Sequence, residues 1–98
     1  MNEQFIWSDA WILLAIIYAD ENGTRATISN IADGIDHNIP SQSELDGAFE
    51  RLEKAGYIEA SGEKYRATPA VIEAFEKTHT PRRAVHKELD EVKRFLGI

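Results

Sequence analysis

The chain of 98 residues contains no cysteine. That removes disulfides, thiolate zinc sites and thiol nucleophiles, and fits a reducing compartment; a cytoplasmic location is the expectation. Basic charge is scarce in the first two thirds. Residues 1–63 carry three Lys/Arg (Arg25, Arg51, Lys54) against twelve Asp/Glu, whereas residues 64–98 carry eight against five, for a net −6 overall. A strong DNA binder is usually basic over one face, although local fields matter more than the total. Long apolar runs are also missing. The longest, residues 10–19, is about half of the roughly 20 residues a spanning helix needs, so it reads as a core helix and no membrane partner is expected. The N-terminal MNEQFIW lacks the basic segment of a signal peptide. No nucleophile–base–acid set and no phosphate-cradling Gly-rich loop is recognisable, so neither an enzyme nor a cofactor is expected. Asp33, Asp36 and His37 have metal-gathering spacing, but with no second His or Cys nearby a helix-terminal role is the better reading and no metal is expected.

What is present is a well-punctuated stretch at residues 41–69, SQSELDGAFERLEKAGYIEASGEKYRATP. Ser41 and Glu44 have the Ser-x-x-Glu spacing of a capping box, with Ser43 as an alternative cap. Leu45, Ala48, Phe49 and Leu52 follow at i, i+3, i+4, i+7, the apolar stripe of one helix face. Gly56 stands where a left-handed residue would end that helix. Residues 57–60 read as a short strand, residues 61–63 as a Gly-containing turn and residues 65–67 as the returning strand. Thr68-Pro69 then suits a helix start, with Pro at the first helical position.

The flanks are helical. Ser8 or Asp9 is expected to cap a first helix that is apolar nearly all round (Trp11 to Tyr18), as in a central helix or one shared with a subunit interface. Phe5 and Trp7 precede it, Trp7 as a staple near Ile12. A loop at residues 20–23 leads to a possible edge strand at 24–27. Thr27 is expected to cap a second helix with Ile28, Ile31, Ala32 and Ile35 inward. Gly34 within it either weakens the helix or permits close packing. Asn38 should lie beyond the helix end, because Pro40 disfavours helix before it. A fourth helix covers residues 68–77 with Val71, Ile72 and Phe75 inward. A fifth, from about Pro81 to Leu96, carries Val85, Leu89, Val92 and Leu96 at heptad spacing, the seam of a helix pair. Gly97 is its stop.

The predicted fold class is therefore mainly α with a small β-hairpin: a winged helix-turn-helix domain, core about 8–77, with an added C-terminal helix at about 81–96. The string Phe49-Glu50-Arg51-Leu52-Glu53-Lys54-Ala55-Gly56-Tyr57-Ile58 resembles the recognition-helix-to-wing passage of MarR-like and PadR-like bacterial transcriptional regulators, a likeness covering residues 9–75. That resemblance implies DNA binding by the third helix and the wing, and pairing of two copies through terminal helices. Gln42, Ser43, Lys64 and Arg66 are the expected DNA contacts. Arg82 and Arg83 belong to a basic stretch that would hold either phosphates or carboxylates of this or a second chain. The dimer candidates are Trp11, Val85, Leu89, Val92 and Leu96. Against the DNA reading, the third helix offers Asp46, Glu50 and Glu53 to solvent, and phosphates repel carboxylates. The alternative is a protein–protein interaction module of the same fold, with the acidic helix meeting a basic partner.

Overall fold

The computed structural model describes residues 4–78 and 84–98, without the side chains of residues 77 and 78. The described chain is mainly helical with one antiparallel hairpin. Helix α1 (Trp7–Ala19) is followed by a short 3-10 turn, then α2 (Arg25–Asp36), α3 (Gln42–Lys54), β1 (Ile58–Ser61), β2 (Lys64–Ala67), α4 (Pro69–Thr78) and α5 (Val85–Leu96). The sheet has two strands, with Ile58 opposite Ala67 and Ser61 opposite Lys64. A two-residue turn joins them, with Gly62 at φ +64°, where glycine avoids the Cβ penalty.

α1 is the axis of the core, packing against α2, α3, α5 and β2. Ile12, Leu13, Leu14 and Ile16 are fully buried, which explains an apolar pattern without a clean face. Each of its neighbours brings one stripe: Ile28 and Ala32 from α2, Leu45, Ala48, Phe49 and Leu52 from α3, Leu89, Val92 and Leu96 from α5. α5 thus shares the same hydrophobic cluster. The heptad residues expected at a dimer seam are spent inside the chain. Leu89, Val92 and Leu96 are buried, as is Trp11, whose indole N–H donates to the Ala32 carbonyl at 2.8 Å; only Val85 of the five is exposed.

Helix ends largely follow local chemistry. Ser41 and Glu44 form the capping box in both directions, at 3.1 Å and 2.9 Å, so Ser43 is not the cap. At the other end of α3 the Gly56 and Tyr57 N–H groups donate to the Glu53 and Leu52 carbonyls, a Schellman closure with Gly56 at φ +80°. α2 ends at Asp36, before Asn38, as expected from Pro40.

Several expected boundaries move. Ile6, rather than Ser8 or Asp9, is the N-cap of α1; Asp9 lies one turn in and its carboxylate accepts from the Ile6 N–H at 3.0 Å. Trp7 is the first residue of the helix and packs on Trp11, ring centres 5.3 Å apart, rather than stapling to Ile12. Thr24 caps α2 by accepting from the Thr27 N–H, so helix begins at Arg25 and the expected strand at 24–27 shrinks to one bridge, Thr24 with Lys64. The Thr68 hydroxyl donates back to the Gly56 carbonyl at 2.9 Å, tying the start of α4 to the end of α3. Ala84 is the extended N-cap of α5, which runs from Val85; the expected start at Pro81 lies outside the described residues.

Gly34 is exposed, and a Cβ built there meets nothing within 4 Å, which removes close packing as its reason. Gly34→Ala is expected to stabilise the protein by about 1 kcal/mol through helix propensity. A higher urea midpoint at unchanged m-value would show it; an unchanged or lower midpoint would contradict it.

Candidate functional site

The hairpin, the start of α2 and the start of α3 meet through a chain of contacts. Gly23 and Tyr65 touch backbone to backbone, the Tyr65 N–H donating to the Gly23 carbonyl at 2.8 Å. Tyr65, half-buried, stacks on Phe49 of α3 with ring centres 4.2 Å apart. Alternation along β2 then turns Lys64 and Arg66 away from Tyr65, and both are exposed. Among the described residues neither forms an ion pair. Both line a polar cleft of about 190 Å³ with Asp20, Glu21, Ser61 and Tyr65. Arg66 also borders a groove with Glu59, Glu73 and Glu76. The two cations therefore stand free but in acidic company.

Arg25, the first residue of α2, joins this face. Its guanidinium lies 5.6 Å from the centre of the Phe49 ring, on a cation–π platform. Its Nε and Nη2 donate to Gln42 Oε1 at 3.0 Å and 2.6 Å, and its Nη1 is 2.8 Å from Asp46 Oδ1. Gln42, an expected DNA contact, is thus held from within the chain, while Ser43 beside it is exposed. The rest of the outer face of α3 is exposed at Asp46, Glu50, Glu53 and Lys54, as its spacing predicted. Gly47, next to Asp46, is half-buried. A Cβ there would come within 2.9 Å of Arg51 Nη2, because the Arg51 guanidinium crosses it to reach Asp9.

The Asp9–Arg51 pair is the main polar contact beneath this face. Asp9 is wholly buried and accepts from Arg51 Nε and Nη2 at 2.7 Å and 2.8 Å, a bidentate fork joining α1 to α3. A second polar contact, the Tyr18 hydroxyl donating to Glu88 Oε1 at 2.5 Å, joins α1 to α5. Burial first, and then the Glu88 hydrogen bond and charge, hold the Tyr18 pKa above its usual value.

Arg82 and Arg83 lie outside the described residues. His86 and Lys87, from the same basic stretch, are exposed in the first turn of α5. Asp33, Asp36 and His37 do not converge, and no group of three potential metal ligands exists among the described residues. His37 instead closes α2 in the left-handed conformation, φ +58°. An apolar pocket of about 240 Å³ opens between α1, α4 and α5, lined by Leu13, Ile17, Phe75, Val92 and Phe95 among others. No described helix is long and apolar enough to cross a membrane.

Sequence reasoning passed over Arg25 and Arg51. The available signal was rarity, since they are two of the three basic residues before position 64. Compared with protein-family models, curated proteins and solved structures, the chain has no significant match in any of the three.

Proposed function

We propose that the chain is a winged-helix module that binds duplex DNA, as in a transcriptional regulator, with the β1–β2 hairpin as its wing. The observation that carries this reading is the placement of Lys64 and Arg66. They are exposed and, among the described residues, unpaired, on a hairpin that the Phe49–Tyr65 stack and the Gly23–Tyr65 hydrogen bond hold beside the start of α2 and the middle of α3. Contacts to phosphate supply much of DNA affinity and fix orientation without reading sequence. The wing leads such contacts here, and Ser43 and Gln42 at the start of α3 are the groups nearest to a base-reading role. With Trp11, Leu89, Val92 and Leu96 buried, a homodimer would rest on exposed apolar residues such as Ile6, Trp7, Phe95 and Ile98.

The test is binding of a labelled random-sequence duplex at about 50 mM salt, where phosphate-driven affinity is strongest. Lys64→Ala with Arg66→Ala should weaken binding across sequences. It should also flatten the slope of log K against log salt by about 0.9 per lost phosphate contact. Unchanged affinity in the double variant would remove the wing from the mechanism. A second reading, a basic protein partner for α3, rests on the exposed carboxylates Glu50 and Glu53. Absence of DNA binding even at low salt would favour it.

A further inference from the structure

We infer that Asp46 acts as an internal substitute for a DNA phosphate, latching the Arg25 guanidinium and keeping the affinity of the α2–α3 face low until the latch opens. The inference rests on the DNA reading above. Arg25 is the sole Lys or Arg before residue 51, so it is the one basic side chain that the first helices can offer to a phosphate. Each nitrogen of its fork is engaged by its own chain: Nε and Nη2 on Gln42 Oε1, Nη2 also 3.3 Å from the Gln42 carbonyl, and Nη1 on Asp46. A carboxylate and a phosphate present similar oxygens to a guanidinium, and arginine binds both through its planar fork. The contact therefore has the chemistry of the one it would replace.

The latch is weak enough to be exchanged. The Arg25 and Asp46 side chains are 39% and 68% exposed, and ion pairs so open to water and salt are weak. Opening would not set Arg25 adrift. The Phe49 ring beneath it is fixed by Tyr65, whose neighbours in β2 are the two wing cations. Release of Asp46 would thus free the Arg25 Nη1 on the same face as Lys64 and Arg66, while Nε and Nη2 keep their bonds to Gln42 at the start of α3. Among the described residues, no other acid of α3 forms an ion pair with Arg25.

The deciding experiment measures binding of a fluorescein-labelled random-sequence duplex by anisotropy, starting at about 50 mM salt. It compares the unmodified protein with Asp46→Asn, Glu50→Gln, the double variant Arg25→Ala/Asp46→Asn, and Lys64→Ala/Arg66→Ala. Glu50→Gln removes the same charge from the same exposed face without touching Arg25, so it measures the general effect of lowering acidity. The latch predicts that Asp46→Asn binds more tightly than Glu50→Gln. Its salt slope should be steeper by about 0.9, so that its advantage shrinks about threefold between 50 and 200 mM salt. The gain should vanish when Arg25 is also replaced. Equal affinities for Asp46→Asn and Glu50→Gln, or a gain that survives loss of Arg25, would overturn the latch. If the wing variant still weakens binding in that case, the DNA reading stands without it. Failure of both the unmodified protein and Asp46→Asn to bind at 50 mM would overturn the two together. All substituted side chains are exposed or half-exposed, and circular dichroism melting would verify that each variant is folded.

Discussion

Arg51→Ala is expected to destabilise the protein by about 3–5 kcal/mol, a large share of the total for a domain of this size. The reason lies with the partner. The Asp9 side chain has 0% exposure and depends on two guanidinium hydrogen bonds and the Ile6 N–H for its compensation. Truncating Arg51 leaves a carboxylate buried with one donor, and such a charge costs far more than the pair contributes. Arg51 is itself 27% exposed, so entering water will moderate the loss toward the lower end of that range. Replacing both members with apolar residues, Asp9→Leu with Arg51→Met, should recover much of the stability, because the desolvation penalty disappears along with the attraction. Urea denaturation of the three variants measures this. A loss below about 1 kcal/mol for Arg51→Ala would mean that Asp9 is not buried as described.

Gly23→Ala should cost about 2–4 kcal/mol and displace the hairpin, combining overpacking with a lost hydrogen bond. Gly23 has φ −77°, a conformation open to any residue, so its constraint is space alone. An added Cβ would stand 1.9 Å from the Tyr65 carbonyl oxygen and 3.1 Å from its carbon. The obstacle is backbone, and no rotamer change relieves it. Making room means breaking the Tyr65 N–H bond to the Gly23 carbonyl and the Thr24–Lys64 bridge, and it drags Tyr65 off Phe49. The near-ultraviolet signal of Tyr65 and the denaturation midpoint should change together. A variant of unchanged stability would show that the loop can back away from β2 freely. On the DNA reading the same substitution also lowers affinity, by moving the wing cations away from α3.

Where a signal lay within a few residues, it could be read directly. The Ser41–Glu44 capping box, the Gly56 and Gly97 helix stops and the turn at Gly62 all depend on contacts spanning six residues or fewer, and each stands where the spacing predicted, although the first strand moves one residue on, to Ile58–Ser61, and the second begins at Lys64. Choices between near-equivalent caps were less secure. Thr24 and Thr27 are both competent, and Thr24 takes the role because its carbonyl and hydroxyl both meet the first turn of α2 while its neighbour closes against the hairpin. For the face itself, the exposure of Lys64, Arg66 and Ser43 followed from period and alternation. The engagement of Gln42 by Arg25 did not, since it joins two helices across 17 positions.

The sequence by itself determined the helices, the hairpin and which stripes must be apolar, because periodicity and turn chemistry act over one or two turns of chain. Only the tertiary structure decided what those stripes face. The heptad of α5 reads the same whether its partner is a second copy or α1, and here α1 of the same chain takes it. Likewise Asp9 and Arg51, 42 positions apart, carry no mutual signal in the chain, yet packing α1 against α3 makes them a buried pair. Local patterns specify a surface to be buried; the identity of what buries it is set by the summed packing of all the elements at once.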